Sequence, residues 1–318
     1  MRLRKNEEES YIVTAVCDGM GGMQDGEICA SLALAAFFSS FITSIDADPR
    51  EILIHAAHEA NHAVNKAYSG KGGTTLSVVS VSKNGCINGI NIGDSRIYFS
   101  SETDFRQLTK DDTIAGQFSN HDEPSHLSRE LLQYIGIGTP LEPNIVESSA
   151  LDRSGKFIIT TDGTHSVGFE NLRKIIDNSP DPLTTSRRLL ELARWHGGRD
   201  NASIAVTSRI DDLIQKSSMA PCGLVELWDP YGDLQIVLLH TNSQPTTMAN
   251  DSGETHNSRS KNKKDGTTIK KIAYRTTKKY NAKRKTKSDL ATDQTEQSIS
   301  KPAHSPKSTE PQLKIDFE

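Results

Sequence analysis

An α+β layered domain built on antiparallel strands is what the sequence predicts, and three observations predict it. One apolar strand, Tyr11 to Cys17, is followed by two long segments of helical period. Consecutive period-two segments come next, and two more helical segments follow them. This grouping of strands with strands and helices with helices differs from the βαβ alternation of a doubly wound parallel sheet.

Each element has its own local reason. Ile28 to about Ile45 and Pro49 to Tyr68 carry apolar residues at helical spacing; in the second, Ile52, Leu53, Ala56, Ala60, Ala63, Val64 and Ala67 share one face. Asp48 suits the N-cap of that helix, with Pro49 at the first position and Glu51 at the third. Thr74–Ser82 and Ile87–Gly93 flank Asn84-Gly85, a pair that accepts the positive φ angles of a tight hairpin. With Arg96–Ser101 they read as an antiparallel meander. Leu127–Ile135 reads as a short helix, Asn144–Leu151 and Lys156–Asp162 as strands, and Glu170–Asn178 and Pro182–Gly197 as helices. Ala202–Ile210 closes this body as a strand. Gly223–Trp228, a turn, and Asp233–His240 form a further hairpin. The boundaries that follow are a main domain over 1–212, an additional hairpin over 213–240, and a tail over 241–318.

Charge divides the 318 residues unevenly. Residues 241–318 hold 16 Lys+Arg and 9 Asp+Glu, a balance of +7, which leaves 21 against 32, or −11, for residues 1–240. The tail is rich in Thr, Lys, Ser, Asn and Gln and too poor in large apolar residues to offset the entropy of ordering, so disorder is expected there. Residues 261–287 contain twelve Lys+Arg and one Asp, with Tyr274 and Tyr280 among them. Such a run serves as a solvated extension, as a tether to nucleic acid or an acidic partner, or as a set of phosphorylation sites. The four cysteines are far apart, with no Cys-x-x-Cys pair, which argues against zinc and against a disulfide framework. The longest uninterrupted apolar run, Leu32 to Phe38, is too short for a membrane span, and the first ten residues have no signal-like apolar region. A cytoplasmic monomer is the expectation.

The chemistry is expected from aspartates. Asp18 ends an apolar strand and precedes Gly-Met-Gly-Gly; Asp162 ends another and precedes Gly163; Asp200 follows Gly-Gly-Arg; Asp94 lies between two strands in Gly-Asp-Ser-Arg. Carboxylates without neighbouring histidines or thiolates are hard oxygen donors suited to Mg²⁺ or Mn²⁺, and glycines let backbone carbonyls approach an ion. Taken singly, each Asp-Gly pair is equally a turn capping its own backbone.

The strings DGMGGMQDGEICASLAL, GTTLSVVSVS, INIGDSRIYF, QLTKDDT, FIITTDGTHSV and GGRDNASIAV, in that order, resemble the type 2C metal-dependent Ser/Thr protein phosphatases (the PPM family) in their bacterial form. The resemblance covers residues 10 to 210. It implies a four-layer α/β/β/α sandwich of two antiparallel sheets flanked by helices, with a two-metal centre at one end. It implies that Asp18 bridges two Mn²⁺ or Mg²⁺ ions, that Gly19 offers its carbonyl, and that Asp162 and Asp200 are further ligands. Asp94 with Asp18 would take a third, weaker ion, and Asn201 would orient neighbouring ligands. It further implies hydrolysis of phosphoserine and phosphothreonine on proteins by a metal-activated water without a phosphoenzyme, with a Ser/Thr kinase as a partner. No cysteine has the Cys-x5-Arg spacing of a thiol nucleophile loop.

Two features depart from the family pattern. The family's first strand carries an Arg that grips substrate phosphate, then an acidic pair. Here only Arg4, Glu8 and Glu9 are available, and Glu9 lies nine residues before Asp18. They form either a shortened first strand or a solvated loop, and the latter reading admits a pseudophosphatase acting as an adaptor. After Asp162, Thr164, His165 and Ser166 replace apolar and acidic residues; His165 is either a loop residue or a general acid. Arg96 is expected to pair within the sheet rather than touch substrate.

Overall fold

Eleven strands pair, without exception antiparallel among the described residues, into two sheets. The computed structural model describes residues 1–44, 48–114, 116, 130–148, 154–230 and 232–237. These residues belong to one unit, Met1–Thr276; a second, Thr277–Glu318, lies outside them, as does the whole tail over 241–318. The first sheet has the order β11 (Gly232–Val237), β10 (Leu224–Asp229), β1 (Arg2–Arg4), β2 (Ser10–Val16), β3 (Leu76–Ser82), β4 (Ile87–Ile92), β7 (Asn144–Ser148). The second has β6 (Phe105–Gln107), β5 (Arg96–Ser100), β8 (Lys156–Thr160), β9 (Ile204–Thr207). Helices α1 (Gly26–Thr43) and α2 (Pro49–Tyr68) cover the first sheet; the short α3 (Asp162–His165) with α4 (Phe169–Asp177) and α5 (Pro182–Trp195) belongs to the second.

Alternation along single strands builds this sandwich. In β2, Tyr11 and Val13 join the core formed with α1 and α2, whereas Ile12 and Val16 join the core between the sheets. In β8, Phe157 and Ile159 face the other sheet while Ile158 packs with Tyr98, Leu172, Ile176 and Leu189 under α4 and α5. A strand buried on both faces reads as an unbroken apolar run, which is why YIVTAVC and KFIIT look alike in sequence. Three cores for four layers result.

The α2 helix starts as its cap chemistry requires: Asp48 accepts a hydrogen bond from Arg50 N at 2.8 Å, with Pro49 at the first position. Of the described helices, α1 alone is long and apolar enough to cross a bilayer by length and composition. Its Cys29, Ala33, Phe37 and Phe41 are fully buried in the core shared with α2 and the first sheet.

Several expectations are corrected. The meander breaks at Gly93, whose φ is +102°, and β5 leaves β4 to join the second sheet. Residues 130–135 form no helix: Leu131 and Ile135 make isolated antiparallel bridges with Thr113 and Thr74, and Ile135 exchanges backbone hydrogen bonds with Thr74 (2.8 and 3.1 Å); 127–129 lie outside the described residues. Ile210, expected to end a strand, instead begins α6 (Ile210–Met219) and is buried between the sheets. Apart from these corrections, the expected β10–β11 hairpin forms and pairs with the first sheet through β1.

Candidate active site

Strand register brings the four aspartates to one end of the sandwich. Thr160 pairs with both Arg96 and Ile204, so Asp162, Asp94 and Asp200 all extend past the same border of the second sheet. In the first sheet Val16 pairs with Ser77, and neighbouring Leu76 with Ile92, so Asp18 and Asp94 lie beyond one border there too. The charges feel each other accordingly. Burial, then the carboxylates of Asp162, Asp200 and Asp94, push Asp18 up to about 7, and Asp18 and Asp162 share a hydrogen bond. Asp94 is pushed up to about 6 by burial, then by Asp162 and Asp111, against the opposing pull of its own backbone and of Arg96.

Hydroxyl groups hold this arrangement. Thr75 Oγ1 accepts from Asp18 N (3.0 Å) and contacts Ser95 Oγ (2.8 Å), tying the first aspartate to the loop of Asp94. Thr74 Oγ1 and Thr75 N both donate to Asp18 O, at 2.8 and 2.9 Å. On the other sheet, Ser203 N donates to Thr161 Oγ1 (2.9 Å) and Ser203 O accepts from Thr164 Oγ1 (2.9 Å), which staples the Asp162 segment to that of Asp200. Buried Asp112 accepts from Gly93 N (3.0 Å) and Asn144 Nδ2 (2.8 Å), anchoring the Asp94 loop from beneath. Thr164 apart, these residues were not singled out from sequence. The motif strings contained all of them but Asn144, yet a hydroxyl in a β-rich string does not announce which distant amide it will meet.

Two glycines permit close approaches. A Cβ at Gly19 would stand 2.2 Å from Gly26 O, where the Asp18 loop meets the start of α1. A Cβ at Gly163 would stand 2.3 Å from Asn201 O, where the Asp162 and Asp200 segments touch. Asn201 itself is exposed and donates its backbone N–H to Asp200 Oδ1 at 2.7 Å.

The remaining candidates lie elsewhere. Arg4 donates to Ala220 O and to Asn6 O, and Glu9 accepts from Asn6 Nδ2 at 3.0 Å. Glu8 stands 3.9 Å from Lys83. All three belong to the β1–β2 hairpin, at the opposite end of β2 from Asp18 and roughly 25 Å along the strand. They form a short first strand and a solvated turn, and supply neither a phosphate clamp nor metal ligands to the cluster. His165 is buried within α3, its Nδ1 3.1 Å from Thr160 Oγ1. Burial, then nearby Arg96, holds its pKa well below the usual value, so it is neutral and positioned as a packing residue. Arg96 makes a two-pronged ion pair with Asp111, a residue beyond β6 rather than the partner within the sheet that was expected.

The donor set fits divalent cations. Four carboxylates crowd one another enough to raise two pKa values, and a 2+ ion among them would relieve that repulsion. Among the described residues no three His, Cys, Asp or Glu side chains enclose a single point.

A two-sheet antiparallel sandwich with this acidic end is the architecture of the Protein phosphatase 2C family. The family profile matches residues 2–195, and the chain belongs to that family. Among its relatives, the serine/threonine protein phosphatase PstP of Mycobacterium tuberculosis is 29% identical over 231 residues, covering 66% of this chain and 43% of the relative. The protein phosphatase PhpP of Streptococcus pneumoniae is 28% identical over 210 residues, covering 61% and 84%. The chain thus spans less than half the length of the first relative. The solved PPM Ser-Thr phosphatase MsPP of Mycobacterium smegmatis, in complex with cacodylate, superposes with a TM-score of 0.55 at 29% identity over 65% of this chain and 93% of that one. The catalytic domain of PstP in complex with two manganese ions gives 0.54 at 25% identity over 65% and 94%.

Proposed function

We propose that the chain is a divalent-metal-dependent phosphatase of phosphoserine and phosphothreonine in proteins. The observation that carries this reading is the convergence of Asp18, Asp94, Asp162 and Asp200 past one border of the two sheets, where their charges help raise the pKa values of Asp18 and Asp94. Left alone, such a cluster repels a phosphomonoester dianion; two bound divalent cations would cancel the charge of the four carboxylates, and a third would make it positive. Asp18, with the Gly19 carbonyl, Asp162 and Asp200 would hold two Mn²⁺ or Mg²⁺ ions, and Asp94 would contribute to a third. When bound, the ions supply Lewis acidity toward phosphoryl oxygens and lower the pKa of a water that attacks phosphorus.

The chain's own residues prepare that chemistry. Thr74, Thr75, Thr161 and Ser203 fix the backbone of the acidic loops, so the carboxylates need little reorganisation when cations arrive. Neutral, buried His165 has no route to a leaving group, which leaves proton transfer to water or substrate. A Ser/Thr kinase that phosphorylates the same substrates is the natural partner of such an activity. The basic run over 261–287 would serve for binding nucleic acid or an acidic partner.

The test is hydrolysis of p-nitrophenyl phosphate and of a phosphothreonine peptide with Mn²⁺, with Mg²⁺ and with EDTA. Turnover only with the metals, and loss of at least about a hundredfold in Asp18→Asn and Asp162→Asn, is expected. Metal-independent turnover, or undiminished rates in folded variants, would overturn the reading.

A further inference from the structure

Arg194 to Asp200 is a run of seven consecutive exposed residues that leads from the end of α5 straight into the aspartate cluster. The helix stops there in a glycine motif: Gly198 N donates to Ala193 O (3.1 Å) and Gly197 N to Arg194 O (3.4 Å). Gly197 and Gly198 have φ of +129° and +52°, backbone that other residues adopt only with strain. This closure leaves Trp195 on the last helical turn, 90% exposed. Tryptophan is ordinarily among the more buried residues, and an indole in water forgoes a large apolar contact.

The side chain of Arg199 lies across the same turn. A Cβ added to Gly197 would sit 3.6 Å from both its Cγ and its Nε, so the Arg199 side chain lies over the glycine two residues beyond Trp195. Five arginines of the body pair with carboxylates: Arg2 with Glu226, Arg96 with Asp111, Arg106 with Asp104, Arg173 with Asp177 and Arg209 with Asp212. Among the described residues no carboxylate pairs with Arg199, although Asp200 is its neighbour in the chain. Arg194 adds a second cation to this turn on a body whose balance over residues 1–240, 21 Lys+Arg against 32 Asp+Glu, is −11.

We propose that the Trp195–Arg199 turn is a docking surface for the peptide flanking the phosphorylated residue, selecting an acidic side chain through Arg199 and an apolar one through Trp195. The inference rests on the phosphatase reading and deepens it, since continuity with Asp200 places the surface beside the entering phosphate. The aspartate cluster takes the phosphorylated residue, and the turn reads what lies next to it. Gly197 and Gly198 allow an extended peptide backbone to lie close to the turn.

Two phosphothreonine peptides test it, one with Asp and Leu beside the phosphothreonine and one with Lys and Ser, against p-nitrophenyl phosphate, which is too small to span both places. The quantity read is the ratio of peptide to p-nitrophenyl phosphate kcat/KM. Trp195→Ala and Arg199→Gln should each lower that ratio for the acidic peptide about threefold to tenfold, as for exposed stacking and charge contacts. Arg199→Glu should turn the preference toward the Lys peptide. A binding readout separates this proposal from the activity: in Trp228→Phe, Trp195 is the only tryptophan, and its emission should respond to the acidic peptide more strongly than to the Lys peptide. If the parent hydrolyses nothing but the emission discriminates, the phosphatase reading fails and the docking surface stands. Ratios unchanged in all three variants, or emission indifferent to the peptides, would overturn the docking surface.

Discussion

Replacing Arg96 with methionine should cost the fold about 2–3 kcal/mol, and the size follows from where the guanidinium sits. It grips Asp111 through Nε and Nη2 at 2.9 and 2.8 Å, with a third contact at 3.2 Å, and the two side chains are 27% and 15% exposed. Burial alone would lower the Arg96 pKa, yet the Asp111 hydrogen bonds carry it above its usual value. An exposed ion pair contributes at most about 1 kcal/mol, whereas stripping one partner from a buried pair costs about 3–5 kcal/mol because a charge is left behind. A pair four-fifths out of water belongs nearer the second case. The double variant Arg96→Met/Asp111→Leu removes both charges, and should regain most of the loss, giving a coupling of at least about 1.5 kcal/mol in the cycle. Urea unfolding followed by circular dichroism measures all four chains, and the single variant should melt about 5–10 °C lower. Single variants within about 0.5 kcal/mol of the parent, or strictly additive losses, would refute the reasoning.

Two further outcomes can be stated from the acidic end. With Asp18 pushed up to about 7, the metal-free folded chain keeps a proton that the unfolded chain releases near 3.8, so stability is lost as pH rises from about 4 to about 7. That displacement corresponds to about 4 kcal/mol, and because part of Asp18 meets solvent, screening brings the expectation to about 1–2 kcal/mol. Asp18→Asn should therefore be the more stable chain by about that amount in EDTA at pH 8, equal near pH 4, and the less stable one in excess Mn²⁺; a lower urea midpoint for the variant in EDTA at pH 8 contradicts this. Gly163→Ala should lose about 1–3 kcal/mol and most metal-dependent activity, since its Cβ meets backbone that cannot retreat without separating Asp162 from Asp200. Gly21→Ala, whose Cβ meets nothing within 4 Å, is the matched control, and equal midpoints for the two variants would show that the close approach is not required.

The acidic site was legible as a set of residues and illegible as a structure. Asp18, Asp94, Asp162 and Asp200 stand out because each touches a glycine-containing turn at the edge of a strand, a local signal. That Thr75 receives Asp18 N, or that Ser203 joins the Asp162 and Asp200 segments, depends on pairs dozens of residues apart. Arg4, Glu8 and Glu9 had suggestive spacing, and only the register Arg4↔Ser10 places them at the far end of β2 from the site.

The same division runs through the fold. Pro49–Tyr68 follows from its own sequence, because cap, proline and apolar face all act within a few residues. RIYFSS and INGINIG look equivalent in period, yet β4 stays in the first sheet and β5 crosses to the second, since the break turns on Gly93 and on Asp112 reaching its amide from beyond β6. The α6 helix, short and polar on one side, is held by Ile210 entering the core between the sheets. Sequence alone determined the type of such elements as Pro49–Tyr68 and the hard-oxygen character of the donor residues, because propensity, capping and donor chemistry are local, whereas residues 130–135 and α6 took their form from distant partners. Sheet membership and the convergence of the four carboxylates were decided by tertiary structure, because both depend on which distant strands pair.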